Sequence, residues 1–324
     1  MVLYITLLRA LSAMIITNAH YTGIYPTDLI ANGGLLGDVI FFAVSGFCLA
    51  NIRLNFGRWY IKRICRIYPA VIIITAIYLI IGLYKWLGEG IGEFIHWFVY
   101  PTNYHFVASI IVLYIPYYFI KKYIIRDDYN SDRKTLICFF TVLAIHILTY
   151  IFVYDKTYYH IDNVREPFIR FLFFESMLLG LYFKIKHVDF TKDNKKYNWL
   201  CTTVVFVIYF ISKTLFSHRT TISQFQIVNQ IVLLILLFFV FKSFAGIEEQ
   251  LKRMPKKLYI LIKYIADITL EIYVVQYALI PIFRNAGVFP LNWMATTVSV
   301  FVTAAILHYL TGYTDKFLKP FYNK

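Results

Sequence analysis

The chain has 324 residues, of which 60% are apolar and 19% aromatic, whereas only 15% carry a charge. A water-soluble protein of this size has too little interior to bury so much apolar surface, so the composition excludes soluble globular, disordered and fibrous proteins. Basic cytoplasmic loops that face anionic headgroups explain the formal charge of +14, and we therefore expect the lipid bilayer rather than nucleic acid as a partner.

Apolar stretches that are long enough to cross a bilayer follow one another along the chain. One span needs about 20 apolar residues. The pattern predicts ten helices, over roughly 2–22, 34–52, 67–85, 97–120, 135–154, 167–183, 198–214, 222–242, 264–283 and 293–311. Pro101 interrupts the fourth, so its spanning part is expected to begin near His105. We predict an all-α polytopic membrane protein, with residues 1–324 forming one membrane-embedded domain that has no fused extracytoplasmic domain.

Basic residues are distributed unevenly between the connecting segments. With the N-terminus in the cytoplasm, 24 of the 32 Lys and Arg residues fall on the cytoplasmic side and seven fall outside. Cytoplasmic loops of membrane proteins carry such an excess of positive charge. The charge pattern therefore predicts a multi-pass protein with both termini in the cytoplasm.

Three ionisable residues lie within the first two predicted helices. Arg9 and His20 are eleven residues apart, which is three helical turns plus about 20°, so they share one face and are separated by roughly 16 Å along the axis. Asp38 follows in the second helix, at the depth of His20, where a carboxylate could orient the imidazole. Ionisable groups in lipid usually mark functional sites. The alternative is that Arg9 reaches the headgroups and His20 merely ends a helix.

A cluster of basic residues occupies the first predicted cytoplasmic segment. Arg63 and Arg66 are three residues apart on one helical face, and they are accompanied by Arg53, Arg58 and Lys62. The forked guanidinium group suits phosphate, because it offers several donors in fixed geometry and stays charged. The positive-inside rule alone would also explain the cluster, so a phosphate site and a topology signal are both open.

Three segments in this order resemble one known family. They are Arg9 followed by His20, Gly37–Phe47 with the sequence GDVIFFAVSGF, and Lys62–Pro69 with the sequence KRICRIYP. The order and spacing resemble the membrane-bound acyltransferase family 3, whose members O-acetylate bacterial surface polysaccharides. The resemblance implies a multi-pass acyltransferase in the bacterial inner membrane. It also implies acetyl-CoA as a cytoplasmic donor substrate, no permanently bound cofactor, and a polysaccharide or lipid-linked glycan as acceptor.

The resemblance also implies roles for the residues of these segments. Arg63 and Arg66 would bind the donor's phosphates, and Arg9 would lie further along the donor's path. His20 would act as general base on a sugar hydroxyl or accept the acetyl group transiently, with Asp38 orienting it. Transfer would be completed by this domain directly or by a separate extracytoplasmic partner protein.

The resemblance is weaker in the second half of the chain. Near the C-terminus, relatives tend to show Ser, then Ile-Tyr-Leu, then His, whereas this chain has Thr269 and Gln276 in place of the Ser and the His. The role of that second histidine therefore does not carry over. The same predicted helix has Lys263, Asp267 and Glu271 at intervals of four, which we interpret as a continuous charged stripe within an interhelical polar network.

Further candidates are assigned to substrate contact. They are Ser45 in the most specific motif, His105, Glu175 and Glu271. For Glu175, which lies near Arg170, a structural polar network is the alternative. The four cysteines are scattered without metal-ligand spacing, so we expect no metal site. The competing hypothesis is a transporter or flippase for a lipid-linked sugar, and the third is a membrane subunit without chemistry.

Overall fold

The computed structural model describes residues 2–85, 90–126, 129–284 and 287–323, and the described part of the chain contains helices and no strands. The α-helices are α1 (Leu3–Ala19), α2 (Gly34–Leu49), α3 (Phe56–Ile80), α4 (Ile91–Phe94), α5 (His105–Phe119), α6 (Ser131–Phe152), α7 (Ile169–Thr191), α8 (Lys195–His218), α9 (Ile227–Gly246), α10 (Glu248–Leu251), α11 (Lys256–Asp267), α12 (Thr269–Phe283) and α13 (Leu291–Asn323). Short π-helical turns follow α4 and α5, and a 3₁₀ turn precedes α9.

The length and composition of the helices identify a membrane protein. Six helical segments among the described residues are long and apolar enough to span a bilayer, and they contain α3, α5, α6, α8, α9 and α13. The shorter helices α1, α2 and α12 are also apolar. The expected all-α polytopic membrane fold is therefore confirmed, while the number of spans and their orientation stay predictions.

Each predicted apolar stretch overlaps a helix, but several boundaries are wrong, and the start of α3 is wrong by about three turns. Helix α3 begins at Phe56 instead of residue 67 because the basic segment before its apolar run is itself helical. The side chain of Asn55 accepts a hydrogen bond from the backbone N–H of Arg58 and caps the helix. Arg63 and Arg66 therefore lie on a helix that continues into the apolar part of α3.

The chain folds into two compact units, each of which is discontinuous in sequence. Unit 1 contains residues 1–9, 38–52 and 116–259, and unit 2 contains residues 10–37, 53–115 and 260–324. In unit 1, α7 packs against α6 and α9, and α8 packs against α9. In unit 2, the helices α3, α12 and α13 pack against one another.

In unit 1, two glycines allow α2 and α7 to approach each other closely. A Cβ atom added at Gly46 would lie 2.0 Å from the carbonyl oxygen of Met177, and one added at Gly180 would lie 1.9 Å from that of Ala43. The Tyr117 hydroxyl donates a 2.6 Å hydrogen bond to the carbonyl oxygen of Gly46. The missing side chains bring the two backbones into direct contact, as small residues do in membrane helix pairs.

The first turn of α1 is capped by a residue that is distant in sequence. The backbone N–H groups of Leu3 and Tyr4 donate hydrogen bonds of 3.0 and 2.8 Å to the two carboxylate oxygens of Glu248. These N–H groups have no acceptor within the helix, and a carboxylate also complements the positive end of the helix dipole. Glu248 therefore holds the start of α1 against the segment that follows α9.

In unit 2, the first half of α12 is hydrogen-bonded to two other helices. The Tyr78 hydroxyl of α3 donates a 3.0 Å hydrogen bond to the carbonyl oxygen of Val275. The Tyr273 hydroxyl accepts a 3.0 Å hydrogen bond from the backbone N–H of Phe106 at the start of α5. These bonds fix the height of α12 relative to α3 and α5 within the unit.

The predicted continuous stripe Lys263–Asp267–Glu271 is wrong, because the helix breaks at Ile268. Helix α11 ends at Asp267 and α12 begins at Thr269. Lys263 and Asp267 form an ion pair of 2.6 Å within α11. Glu271 instead lies in the first turn of α12 and bonds to another helix.

Candidate functional site

His20 directly follows the last residue of α1 and is positioned by that helix. Its Nδ1 atom lies 2.8 Å from the carbonyl oxygen of Ile16, one turn earlier. A carbonyl oxygen can only accept, so Nδ1 carries the hydrogen and the neutral ring keeps its lone pair on Nε2. The backbone thus fixes the tautomer that a general base needs, a task that the sequence prediction gave to Asp38.

One aromatic ring, that of Tyr277, packs against His20 within unit 2. The ring of Tyr277 meets the imidazole edge to face, with centroids 5.3 Å apart, and it packs similarly against Tyr104 at 5.6 Å. The Tyr277 hydroxyl donates a 2.7 Å hydrogen bond to the hydroxyl of Tyr273, one turn away. Tyr277 therefore links His20 to a set of hydrogen-bonded phenols.

Further phenols continue this set away from His20. The buried Tyr104 hydroxyl lies 3.1 Å from that of Thr75 and donates to the hydroxyl of Tyr84 at 3.3 Å. The ring of Tyr84 packs against Trp97 at 4.8 Å and against Tyr78 at 5.3 Å. We call these phenols the tyrosine cluster; its members are Tyr78, Tyr84, Tyr104, Tyr273 and Tyr277. The sequence analysis missed it, because tyrosines throughout an aromatic-rich chain give no local signal.

A basic side chain also lies near His20. The side-chain carbons of Arg284 are 3.6 to 3.7 Å from the point where a Cβ atom at Gly23 would sit, and Gly23 has a positive φ of 78°. The charge of Arg284 acts electrostatically on His20. A cation near the base can stabilise negative charge that develops on a reacting oxygen. The sequence analysis did not single out Arg284, because it stands outside the three motifs.

The two arginines predicted to bind phosphate also lie in unit 2. Arg63 is half-buried, with its guanidinium carbon 5.5 Å from the centre of the Trp59 ring, whereas Arg66 is exposed. Arg66 precedes Tyr78 by twelve residues on α3, which corresponds to about 18 Å along the helix, and Arg63 precedes it by about 22 Å. The two arginines and Tyr78, which is the member of the tyrosine cluster on α3, thus lie at two levels of one helix.

His105 and Glu271 belong to unit 2 as well. His105 is half-buried at the first position of α5. It lies in sequence between Tyr104, a member of the tyrosine cluster, and Phe106, whose backbone N–H donates to the Tyr273 hydroxyl of the same cluster. Glu271 is buried and bonds across the helix interface to His308 Nδ1 at 2.8 Å. Sequence reasoning missed His308, because it is four turns into the last predicted helix and has no motif around it.

The other predicted site residues lie in unit 1. Arg9 is half-buried on α1, Ser45 is half-buried on α2, and Asp38 is buried on α2, where its charge acts on the buried Tyr209 hydroxyl. Glu175 is fully buried on α7. The roles of Arg9, Asp38 and Ser45, including the expected orientation of His20 by Asp38, stay predictions.

Glu175 bonds to His146 of α6, which is the kind of polar contact between helices given above as the alternative to substrate binding. His146 Nδ1 lies 2.8 Å from Glu175 Oε1, and neither residue is exposed to solvent. The imidazole lies between the rings of Phe168 and Phe171, at 4.7 and 5.3 Å. Within the described part of the chain, no group of three or more His, Cys, Asp and Glu residues could hold a metal ion.

Comparison with known proteins assigns the chain to a family. The family model described as an acyltransferase domain matches residues 2–312, which is nearly the whole chain and includes segments of both units. No curated protein and no solved structure matches the chain. Together with its apolar helices, this match shows that the protein is a membrane acyltransferase and belongs to acyltransferase family 3.

Proposed function

We propose that the enzyme transfers an acetyl group from cytoplasmic acetyl-CoA to a hydroxyl group of a bacterial surface or exported polysaccharide, or of its lipid-linked precursor. The observation that carries the proposal is the arrangement within unit 2. It combines a histidine in the tautomer of a base, the tyrosine cluster that adjoins it through Tyr277, and an arginine pair that is about 18 to 22 Å from Tyr78 along α3.

The arginine pair suits the charged end of the donor. Acyl-CoA carries phosphates at the end opposite its thioester, and arginine binds phosphate through forked, permanently charged donors. Arg66 is exposed and Arg63 is half-buried, so both can meet a ligand that approaches from the predicted cytoplasmic side. A donor held there by its phosphates would extend its thiol arm along α3 towards His20.

The tyrosine cluster suits a sugar acceptor. Aromatic rings such as Tyr84 and Trp97 offer apolar faces for the C–H faces of a sugar, and phenolic hydroxyls exchange hydrogen bonds with sugar hydroxyls. His20 lies at the predicted outer end of α1, where an exported glycan is accessible. The acceptor hydroxyl would therefore meet Nε2 from outside while the thioester arrives from inside.

In the proposed reaction, these positions give each group a role. His20 Nε2 takes the proton of the acceptor hydroxyl while its oxygen attacks the thioester carbonyl carbon, and Arg284 stabilises the resulting oxyanion. The C–S bond then breaks, and the coenzyme thiolate receives the proton from the imidazolium. In the second possible route, Nε2 itself attacks the thioester and passes the acetyl group to the acceptor.

The decisive test compares cells that produce the wild type, His20→Gln or no protein. Mass spectrometry of their surface glycans should show one acetyl group that is lost in the last two. Gln retains hydrogen bonding but cannot accept the proton. His218→Gln is the matched control, because His218 is an exposed histidine at the end of α8. An unchanged acetyl profile with accumulated lipid-linked intermediates would favour the flippase.

The two chemical routes can be separated with purified protein. Rapid quenching in cold denaturant at neutral pH after mixing with radiolabelled acetyl-CoA, in the absence of acceptor, should leave label on His20 only if an acetyl-histidine forms, and the label should be lost in acid because a protonated acyl-imidazole hydrolyses quickly. Label that remains on His20→Gln would show that the histidine is not the attachment point.

A further inference from the structure

Gln276 is a buried carboxamide on α12 whose polar atoms have no hydrogen-bond partner. Its side chain is fully buried, and neither Oε1 nor Nε2 has a partner among the residues that the structure describes. Most buried polar groups in proteins are paired, because an unpaired donor or acceptor loses its hydration without compensation. A residue with both functions unpaired therefore indicates that a bound molecule supplies them.

Gln276 lies on the route between the arginine pair and His20. It follows Val275, whose carbonyl oxygen is bonded to Tyr78 of α3, and it precedes Tyr277, whose ring packs against His20. Because Arg66 is about 18 Å from Tyr78 along α3, Gln276 is near the far end of a donor held by that arginine. This part of an acyl-CoA is the thiol arm, which links the phosphates to the thioester.

The chemistry of that arm matches the chemistry of the side chain. The arm contains amide linkages, each with one N–H donor and one carbonyl acceptor, while a glutamine offers an acceptor in Oε1 and two donors on Nε2. We propose that Gln276 is a donor-binding residue that holds the amide groups of the acyl donor's thiol arm. The proposal rests on the proposed function, since it needs an acyl-CoA donor.

The test compares donors with and without amides. With acetyl-CoA, Gln276→Leu should raise KM about tenfold and leave kcat nearly unchanged, as expected when a hydrogen bond that is present in both ground and transition states is lost. With S-ethyl thioacetate, a thioester without amide or phosphate, the variant and the wild type should have equal kcat/KM. Gln230→Leu in α9 is the matched control, because it removes another buried carboxamide from unit 1 and should leave the donor KM unchanged.

Thermal unfolding gives a second, independent measurement. Without donor, Gln276→Leu should unfold at a higher temperature than the wild type, because it removes two unpaired buried polar atoms; acetyl-CoA should stabilise the wild type more than the variant. Gln276→Met serves the same purpose if the Leu variant fails to fold. A lower unfolding temperature without donor, or the same KM increase with both donors, would overturn the proposal while acetyl transfer by the wild type stands. Absence of turnover in the wild type would instead refute the proposed function.

Discussion

The contact between α2 and α7 allows a stability prediction of defined sign. Alanine at Gly46 would have its Cβ atom 2.0 Å from the Met177 carbonyl oxygen, whereas real Cβ contacts essentially never fall below 3.0 Å. The two helices must therefore move apart by roughly 1 Å. Because the nearest atoms to this Cβ atom all belong to the backbone of Met177, no side-chain rotation can relieve the clash.

The magnitude follows from the interactions that this movement disrupts. Overpacking a well-packed interface destabilises by about 1–3 kcal/mol. The Tyr117 hydrogen bond to the Gly46 carbonyl oxygen is strained as well, which adds about 1 kcal/mol. Alanine is a better helix former than glycine by about 1 kcal/mol. We therefore expect a net loss of about 1–3 kcal/mol for Gly46→Ala, and a similar loss for Gly180→Ala.

Thermal unfolding of the purified variants in detergent measures the effect. Gly312→Ala in α13 is the matched control, because nothing lies within 4 Å of its added Cβ atom, so this variant should be as stable as the wild type or more so. The double variant should lose less than the sum of the two single losses, because one separation of the helices accommodates both methyl groups. A Gly46→Ala protein as stable as Gly312→Ala would refute the close approach.

Three further predictions concern topology, donor binding and pH. Reporter fusions after residues 130, 190 and 250 should report cytoplasm and those after 160 and 288 the exterior; an external signal at 190 would contradict the charge rule. Changing Arg63 and Arg66 together to Ala should weaken acetyl-CoA binding at least tenfold in a folded protein, with Arg63→Lys partly active, and equal affinity would reduce the pair to a topology signal. A hydrogen bond from Lys242 lowers the pKa of Asp193 in the folded protein. The stability that Asp193→Asn removes should therefore be constant above the unfolded carboxyl pKa of about 3.9, and it should be lost as the pH falls from there through the lowered pKa of the folded state. Unfolding of both proteins across this pH range measures the effect.

Hydropathy is sufficient to predict the helical framework, because in lipid each spanning segment must pair its own backbone groups. The error at the start of α3 has the same origin, since a hydropathy pattern detects only the apolar part of a helix. Asn55 was an available signal: a capping residue directly before the basic segment indicates that a helix begins there.

Partners between helices could not be predicted in the same way. Glu175 bonds to His146 and Glu271 to His308, at sequence separations of 29 and 37 residues. Which faces of two helices meet depends on the packing of the whole unit, and each helix offers several polar candidates. The charged stripe failed for a local reason, because the helix breaks at Ile268 and Glu271 bonds to His308 of α13 instead.

The cap on α1 has a consequence for the order of assembly. Helix α1 is synthesised long before its cap, because Glu248, whose carboxylate accepts the first N–H groups of the helix, follows Leu3 by 245 residues and Tyr4 by 244. Until that residue emerges, the exposed amides of Leu3 and Tyr4 need water or headgroups, which holds the start of α1 at the membrane surface. The first turn of α1 thus gains its final hydrogen-bond partner only when most of unit 1 has been synthesised, so a chain truncated before Glu248 lacks this cap.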